Sequence, residues 1–107
     1  MIKFALFARF EARPGKEADV AAFLEQGLSM AHDEKDTPIW FALKLTPNVF
    51  GVFDAFASEA GRQTHLHGLI AQAMMEKADE LFVAPPSIEL IEVLGLKNQP
   101  VANALLS

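Results

Sequence analysis

The chain contains no cysteine and no tyrosine. The first absence removes disulfides, thiolate nucleophiles, iron–sulfur clusters and cysteine zinc sites, and it fits a reducing compartment. The second leaves no phenolic hydroxyl for hydrogen bonding. Basic charge is also scarce: nine Lys+Arg against fourteen Asp+Glu give a formal net charge of −5, with the basic residues scattered. No electrostatic footprint for a phosphate backbone can be drawn from them, so nucleic acid is not an expected partner. Apolar runs are short. None approaches the roughly 20 residues of a membrane span, and the N-terminus lacks the pattern of a secretory signal, so a membrane partner is not expected and a cytoplasmic protein is. Gly51, Gly61 and Gly68 assemble no phosphate-loop spacing, and no Ser stands in a nucleophile-elbow context.

What is present is apolar. Of 107 residues, 51% are hydrophobic, enough for one core and too few residues for two. Nine Phe beside a single Trp make an oily aromatic set, suited to an apolar pocket or interface. Residues 2–12 read as a strand with Ile2, Phe4, Leu6, Ala8 and Phe10 on one face, while Ala5 and Phe7 make the other face apolar in its middle. After Arg13-Pro14-Gly15, Val20, Phe23, Leu24, Gly27, Leu28 and Ala31 recur at helical spacing and predict a helix over 16–33. Thr46-Pro47-Asn48 is turn chemistry joining strands 39–46 and 49–57 into a hairpin. Ser58 caps a helical pattern running to about Phe82 with a break near Gly68, Pro85-Pro86 ends it, and 87–96 is a fourth strand.

The order β-α-β-β-α-β is an α+β, ferredoxin-like arrangement in which helices cover one face of an antiparallel sheet. The other face has no cover within the chain, and an apolar face of that size predicts a homodimer packed sheet to sheet. Residues 1–97 form the expected domain and 98–107 a C-terminal tail.

Several side chains stand out as carriers of chemistry. Asp54 lies in the apolar run Val49 to Ala57, where an ionised carboxylate needs a partner: a site residue, Arg62, Lys44, or the end of the helix that follows. His65 and His67 are two apart and share no helix face, so they do not form a metal pair, and no metal, flavin or haem is expected. Trp40 lines a cavity or fills the core. Arg9, on the second face of the first strand, either holds an anionic ligand, pairs across a dimer interface or is solvated.

Taken together, the strand leading into Phe10-Glu11-Ala12-Arg13-Pro14-Gly15-Lys16-Glu17, the Trp40-Phe41 strand, the strand end Phe53-Asp54-Ala55-Phe56 and the helix from Ala60 to His65-Leu66 resemble the antibiotic biosynthesis monooxygenase family. The resemblance spans residues 2 to 97. It implies subunits that pair through their sheets into a dimeric α/β barrel. It also implies a cofactor-independent monooxygenase acting with O₂ on a quinol or phenolic aromatic substrate, with His65 as the base, Asp54 beside it, and Trp40, Phe41, Phe56 and Arg9 as substrate-binding residues. The alternative is a non-catalytic small-molecule-binding or stress-response protein of the same barrel type. Ala8 and Phe56 stand where haem-degrading relatives carry Asn and Trp, which counts against haem chemistry.

Overall fold

The computed structural model describes residues 1–99. Its elements run β1 (Phe4–Glu11), α1 (Glu17–His32), β2 (Ile39–Lys44), β3 (Val49–Phe56), α2 (Glu59–Leu66), α3 (Leu69–Leu81) and β4 (Ser87–Glu92). The strands form one antiparallel sheet in the order β2-β3-β1-β4. This is the expected ferredoxin-like architecture. The boundary expected at residue 98 leaves most of the tail outside the described residues. No helix among the described residues is long and apolar enough to cross a membrane.

Local signals act where the sequence places them. Gly15 takes a φ of 84°, the left-handed turn conformation that lets β1 reverse into α1. Ser58, extended, accepts a hydrogen bond from the Gly61 backbone N–H at 3.0 Å and starts α2. The β2–β3 hairpin closes with Thr46 Oγ1 accepting from the Val49 N–H at 3.0 Å and with the Leu45 N–H donating to the Val49 carbonyl.

Register sorts side chains onto two faces. Opposed residues of an antiparallel pair share a face, so Leu6 with Asp54, Ala8 with Val52 and Phe10 with Phe50 all point to the helices. There they pack with Val20 and Leu24 of α1, Met74 and Leu81 of α3, and Phe82, whose ring lies 4.6 Å from that of Phe10. Each buried large side chain contributes about 1.5–3 kcal/mol relative to exposure.

The opposite face carries Ala5, Phe7 and Arg9 of β1, Ile39, Phe41 and Leu43 of β2, and Val49, Gly51, Phe53 and Ala55 of β3. Phe7 lies over Gly51 so closely that a Cβ there would meet its ring at 2.9 Å. No described helix covers this face, and Phe41 is 55% exposed. Residues 95–98 approach only one end of it, around a cavity of about 550 Å³ with Ile39, Phe53 and Ala55.

β4 is shorter than expected. It ends at Glu92 rather than 96, and its helix-side residues Ile88 and Leu90 remain exposed because the helices pack over the other three strands.

Candidate active site

Three elements meet over the helix-side face of β3. Asp54 is carried there by its register opposite Leu6 on β1 and Trp40 on β2, and it is 0% exposed. His65 sits near the end of α2, about two turns past the Ser58 cap, and its ring centroid lies 5.5 Å from that of Phe56. Glu34 belongs to the connection between α1 and β2.

The three side chains form a chain of alternating charge. His65 Nδ1 is 2.6 Å from Glu34 Oε1, and His65 Nε2 is 2.6 Å from Asp54 Oδ2. Glu34 Oε1 also accepts from Thr37 Oγ1 at 2.9 Å, a bond internal to the 33–38 connection, and its contact with His65 ties that connection to α2. The Nε2 to Oδ2 approach is a short charge contact rather than an aligned hydrogen bond, so both Asp54 oxygens lack an aligned donor. At 2.6 Å the two groups attract strongly whatever the alignment of the contact. Oδ1 has no partner among the described residues.

Burial alone would push the His65 pKa down. Pairing with Asp54, and then with Glu34, outweighs it and raises the imidazole to about 9. Burial pushes the Asp54 carboxyl up, and the opposing pull of His65 does not cancel it. Both groups therefore hold protons more tightly than in water. At neutral pH His65 is an imidazolium and takes no further proton, while Asp54 is a stronger proton acceptor than an exposed carboxylate.

The two residues expected as catalytic, His65 and Asp54, are brought together. Those expected to bind substrate are divided. Trp40 and Phe56 share the helix-side face with Asp54, whereas Phe41 and Arg9 lie on the opposite face; Trp40 and Phe41 meet only at the sheet edge, where both border the cavity of about 550 Å³ beside residues 95–98. Neither Arg62 nor Lys44 satisfies Asp54. The Arg62 guanidinium instead donates to the Ala5 and Ile91 carbonyls at 3.1 Å each, pairs with Glu59 and stacks over Phe4, binding α2 to β1 and β4.

Glu34 is the residue that sequence reasoning missed. It lies in a polar connection among Asp33, Lys35 and Asp36, and nothing in that string distinguishes it from a solvated loop acid. Both nitrogens of His65 face carboxylates, and among the described residues no three His, Asp or Glu side chains converge as a metal-ligand set.

Comparison with known proteins places the chain beside several solved structures. The chain is similar to NE2512, a protein of unknown function from Nitrosomonas europaea, with 53% identity over 94% of this chain and 98% of that one and a TM-score of 0.90. A candidate antibiotic biosynthesis monooxygenase from Deinococcus radiodurans is 15% identical over 92% of this chain and 99% of its own, with a TM-score of 0.77. Another such candidate, from Nitrosomonas europaea, is 10% identical over 86% and 90% of the two chains, with a TM-score of 0.76. No family model and no curated protein matches.

Proposed function

We propose an activity for a chain that belongs to the same family as the Nitrosomonas europaea protein NE2512 and has an antibiotic biosynthesis monooxygenase-like fold: it is a cofactor-independent monooxygenase that oxidises a quinol or phenolic aromatic substrate with O₂. The observation that carries this reading is Asp54, a carboxylate shut away from water, held at one oxygen by an imidazolium and unpartnered at the other.

Asp54 takes the phenolic proton through Oδ1, and the fixed positive charge of His65 stabilises the anion that forms beside it. His65, expected as the base, becomes the electrostatic partner because two carboxylates keep it protonated at neutral pH. The phenolate is electron-rich enough to reduce O₂ directly. A C–O bond forms at a ring carbon that bears hydrogen, para to the hydroxyl in a phenol and ortho to it in a quinol, and the peroxide oxygen takes its proton back from Asp54. The C–H proton then leaves with hydroxide as the O–O bond breaks, so that phenol and O₂ give quinone and water. The apolar wall of Phe56 and Trp40 shields the intermediate from solvent.

The protein works, on this reading, as a cytoplasmic homodimer joined through the open sheet faces. Phe7, Phe41, Leu43 and Phe53 would supply the apolar interface, with roughly 2,000 Å² or more buried in total.

The second reading is a small-molecule-binding or stress-response protein without turnover. The occupation of both His65 nitrogens favours it, since a doubly paired histidine also serves as a structural clasp. Oxygen uptake with a panel of anthrones and quinols, with and without chelator, separates the two. The monooxygenase consumes one O₂ per quinone formed and ignores chelator. Binding of the panel without any uptake assigns the chain to the second reading.

A further inference from the structure

Asp54 is shut away from water, so a substrate that gives a proton to its Oδ1 has to displace something first. The elements around it differ in what their displacement would break. β3 is bonded along its length to β1 and β2. α1 and α3 bury Val20, Leu24, Met74 and Leu81 in the core, and α2 is pinned through Arg62 to the carbonyls of Ala5 and Ile91. The 33–38 connection buries no apolar side chain. Asp33, Lys35, Asp36 and Pro38 are exposed, and the buried Thr37 donates its hydroxyl hydrogen to Glu34 of the same connection.

The connection nonetheless lies close against α2 and the turn that ends it. A Cβ at Gly61 would stand 3.2 Å from the Asp36 carbonyl oxygen and one at Gly68 3.4 Å from Glu34 Oε2, so the two glycines that flank His65 make room for it. Among the described residues no backbone hydrogen bond crosses this contact, and its one polar tie to α2 runs from Glu34 Oε1 to His65 Nδ1 at 2.6 Å. A segment with one side-chain tie and little buried apolar surface belongs to the low-stability end of a fold, where local opening precedes any movement of the core. Beneath that tie lies His65, whose other nitrogen faces Asp54.

We propose that the 33–38 connection is a strap over the Asp54 site, latched by Glu34 to His65, and that substrate reaches Asp54 when the latch releases and the strap lifts. Thr37 moves with Glu34, since their bond lies within the strap. The released imidazole, held at Nε2 alone, turns aside and uncovers Asp54 Oδ1. Glu34 is thus a positioning residue that touches no substrate and sets how often the site opens. The inference rests on the phenol-oxidising reading for its biological meaning, but the opening itself is measured without turnover.

The experiment locks the strap. A Cβ at Gly61 would lie 3.5 Å from that of Asp36, at the near edge of the separations that disulfides span, and the chain has no cysteine of its own to interfere. The double variant Asp36→Cys/Gly61→Cys is therefore closed by oxidation and reopened by reduction. Opening is read from deuterium exchange at the imidazole Cε1, followed by mass spectrometry, with the exposed His32 and His67 as controls in the same molecule. Oxidation should slow exchange at His65 by about tenfold or more and leave the controls unchanged, because exchange must then await a wider unfolding. Equal His65 rates in the oxidised and reduced forms overturn the strap. Should the disulfide not close or the double variant not fold, Glu34→Ala against Glu34→Gln tests the latch alone, since both lose the charge and only glutamine keeps the bonding oxygen. His65 should then exchange about tenfold faster in Glu34→Ala, the yield of one lost hydrogen bond, and equal rates overturn the strap. Oxygen uptake on the anthrone and quinol panel, with the reduced form desalted before assay, separates this inference from the proposed activity. A lock that slows exchange in a chain whose parent consumes no O₂ leaves the strap standing and defeats the activity. Uptake as fast in the oxidised form as in the reduced one keeps the activity and overturns the strap as the substrate's entrance.

Discussion

The same three strands present two faces that break opposite rules of burial. On the helix side β3 buries an ionisable group, Asp54, among Leu6, Phe56 and Val52; on the open side the neighbouring strand leaves Phe41 in water. An unpaired buried charge costs several kcal/mol, so the first face has recruited an imidazole from α2 and a second carboxylate from the α1–β2 connection to balance it. The second face has recruited nothing from within the chain. The two departures differ in meaning. A buried charge marks where chemistry or ligand binding is placed, and exposed aromatics mark where a second copy is expected.

The strongest way to break this contrast is to neutralise the buried face. Asp54→Asn keeps the shape of the side chain and removes its basicity. It should lower quinone formation by about 10²-fold or more, the range for a lost proton acceptor, while light scattering still reports a dimer. His65→Gln should cost less than Asp54→Asn, because it removes an electrostatic partner rather than the acceptor. The reverse order would return His65 to the role of base. On the open face, Phe41→Asp should weaken the dimer by about 10²-fold, since it puts an unpaired charge in the centre of an apolar interface. Because Phe41 is exposed in the single chain, its fold should survive. Sedimentation that shows a dimer unchanged by Phe41→Asp would move the interface elsewhere.

A third effect belongs to the buried face alone. His65 and Asp54 both hold protons more tightly in the folded chain than in the unfolded one, so the folded state binds more protons and stability must fall as pH rises. The His65 part is fully present below its ordinary value of 6.5 and is lost as pH passes about 9. Melting temperature should therefore drop by several degrees across that window, given about 4–8 °C per kcal/mol for a domain of this size. The drop should flatten in His65→Gln, which has no proton to lose. A parent curve that is flat between those pH values would show that the imidazolium contributes nothing to the fold.

The two faces were not equally legible in the sequence. Period-two alternation in β1 placed Leu6, Ala8 and Phe10 on one side and Ala5 and Phe7 on the other, and Ser58 and Thr46-Pro47-Asn48 marked a cap and a turn, because these signals act over a few residues. Asp54 drew notice through its apolar neighbours, and His65 through its position in the resemblance. Glu34 did not, since its partner is 31 residues away and only the packing of α2 against the α1–β2 connection makes it more than a loop acid. Charge alone makes Arg62 a partner for Asp54, yet the carbonyls of Ala5 and Ile91 need a donor where β1 and β4 meet α2, and they take it. Phe41 and Arg9 stand beside Trp40 among the residues expected to bind substrate. Register separates them, because adjacent residues of a strand point to opposite faces.

The smallest expected effect isolates the outer arm of the charge chain. Glu34 is partly open to solvent, so its attraction for His65 is screened, whereas that of fully buried Asp54 is not. Glu34→Gln keeps an oxygen able to accept from His65 Nδ1 and Thr37 Oγ1 and removes only the charge. The His65 pKa should therefore fall from about 9 yet stay above 6.5, because Asp54 still faces Nε2. The stability loss at neutral pH should be about 1 kcal/mol, and turnover should remain within about threefold of the parent because the acceptor oxygen of Asp54 is untouched. A histidine titration followed by NMR reads the first quantity directly. If Glu34→Gln returned His65 to 6.5, the loop acid rather than the buried aspartate would be holding the proton, and Asp54 would be free of the imidazolium on which its proposed role depends.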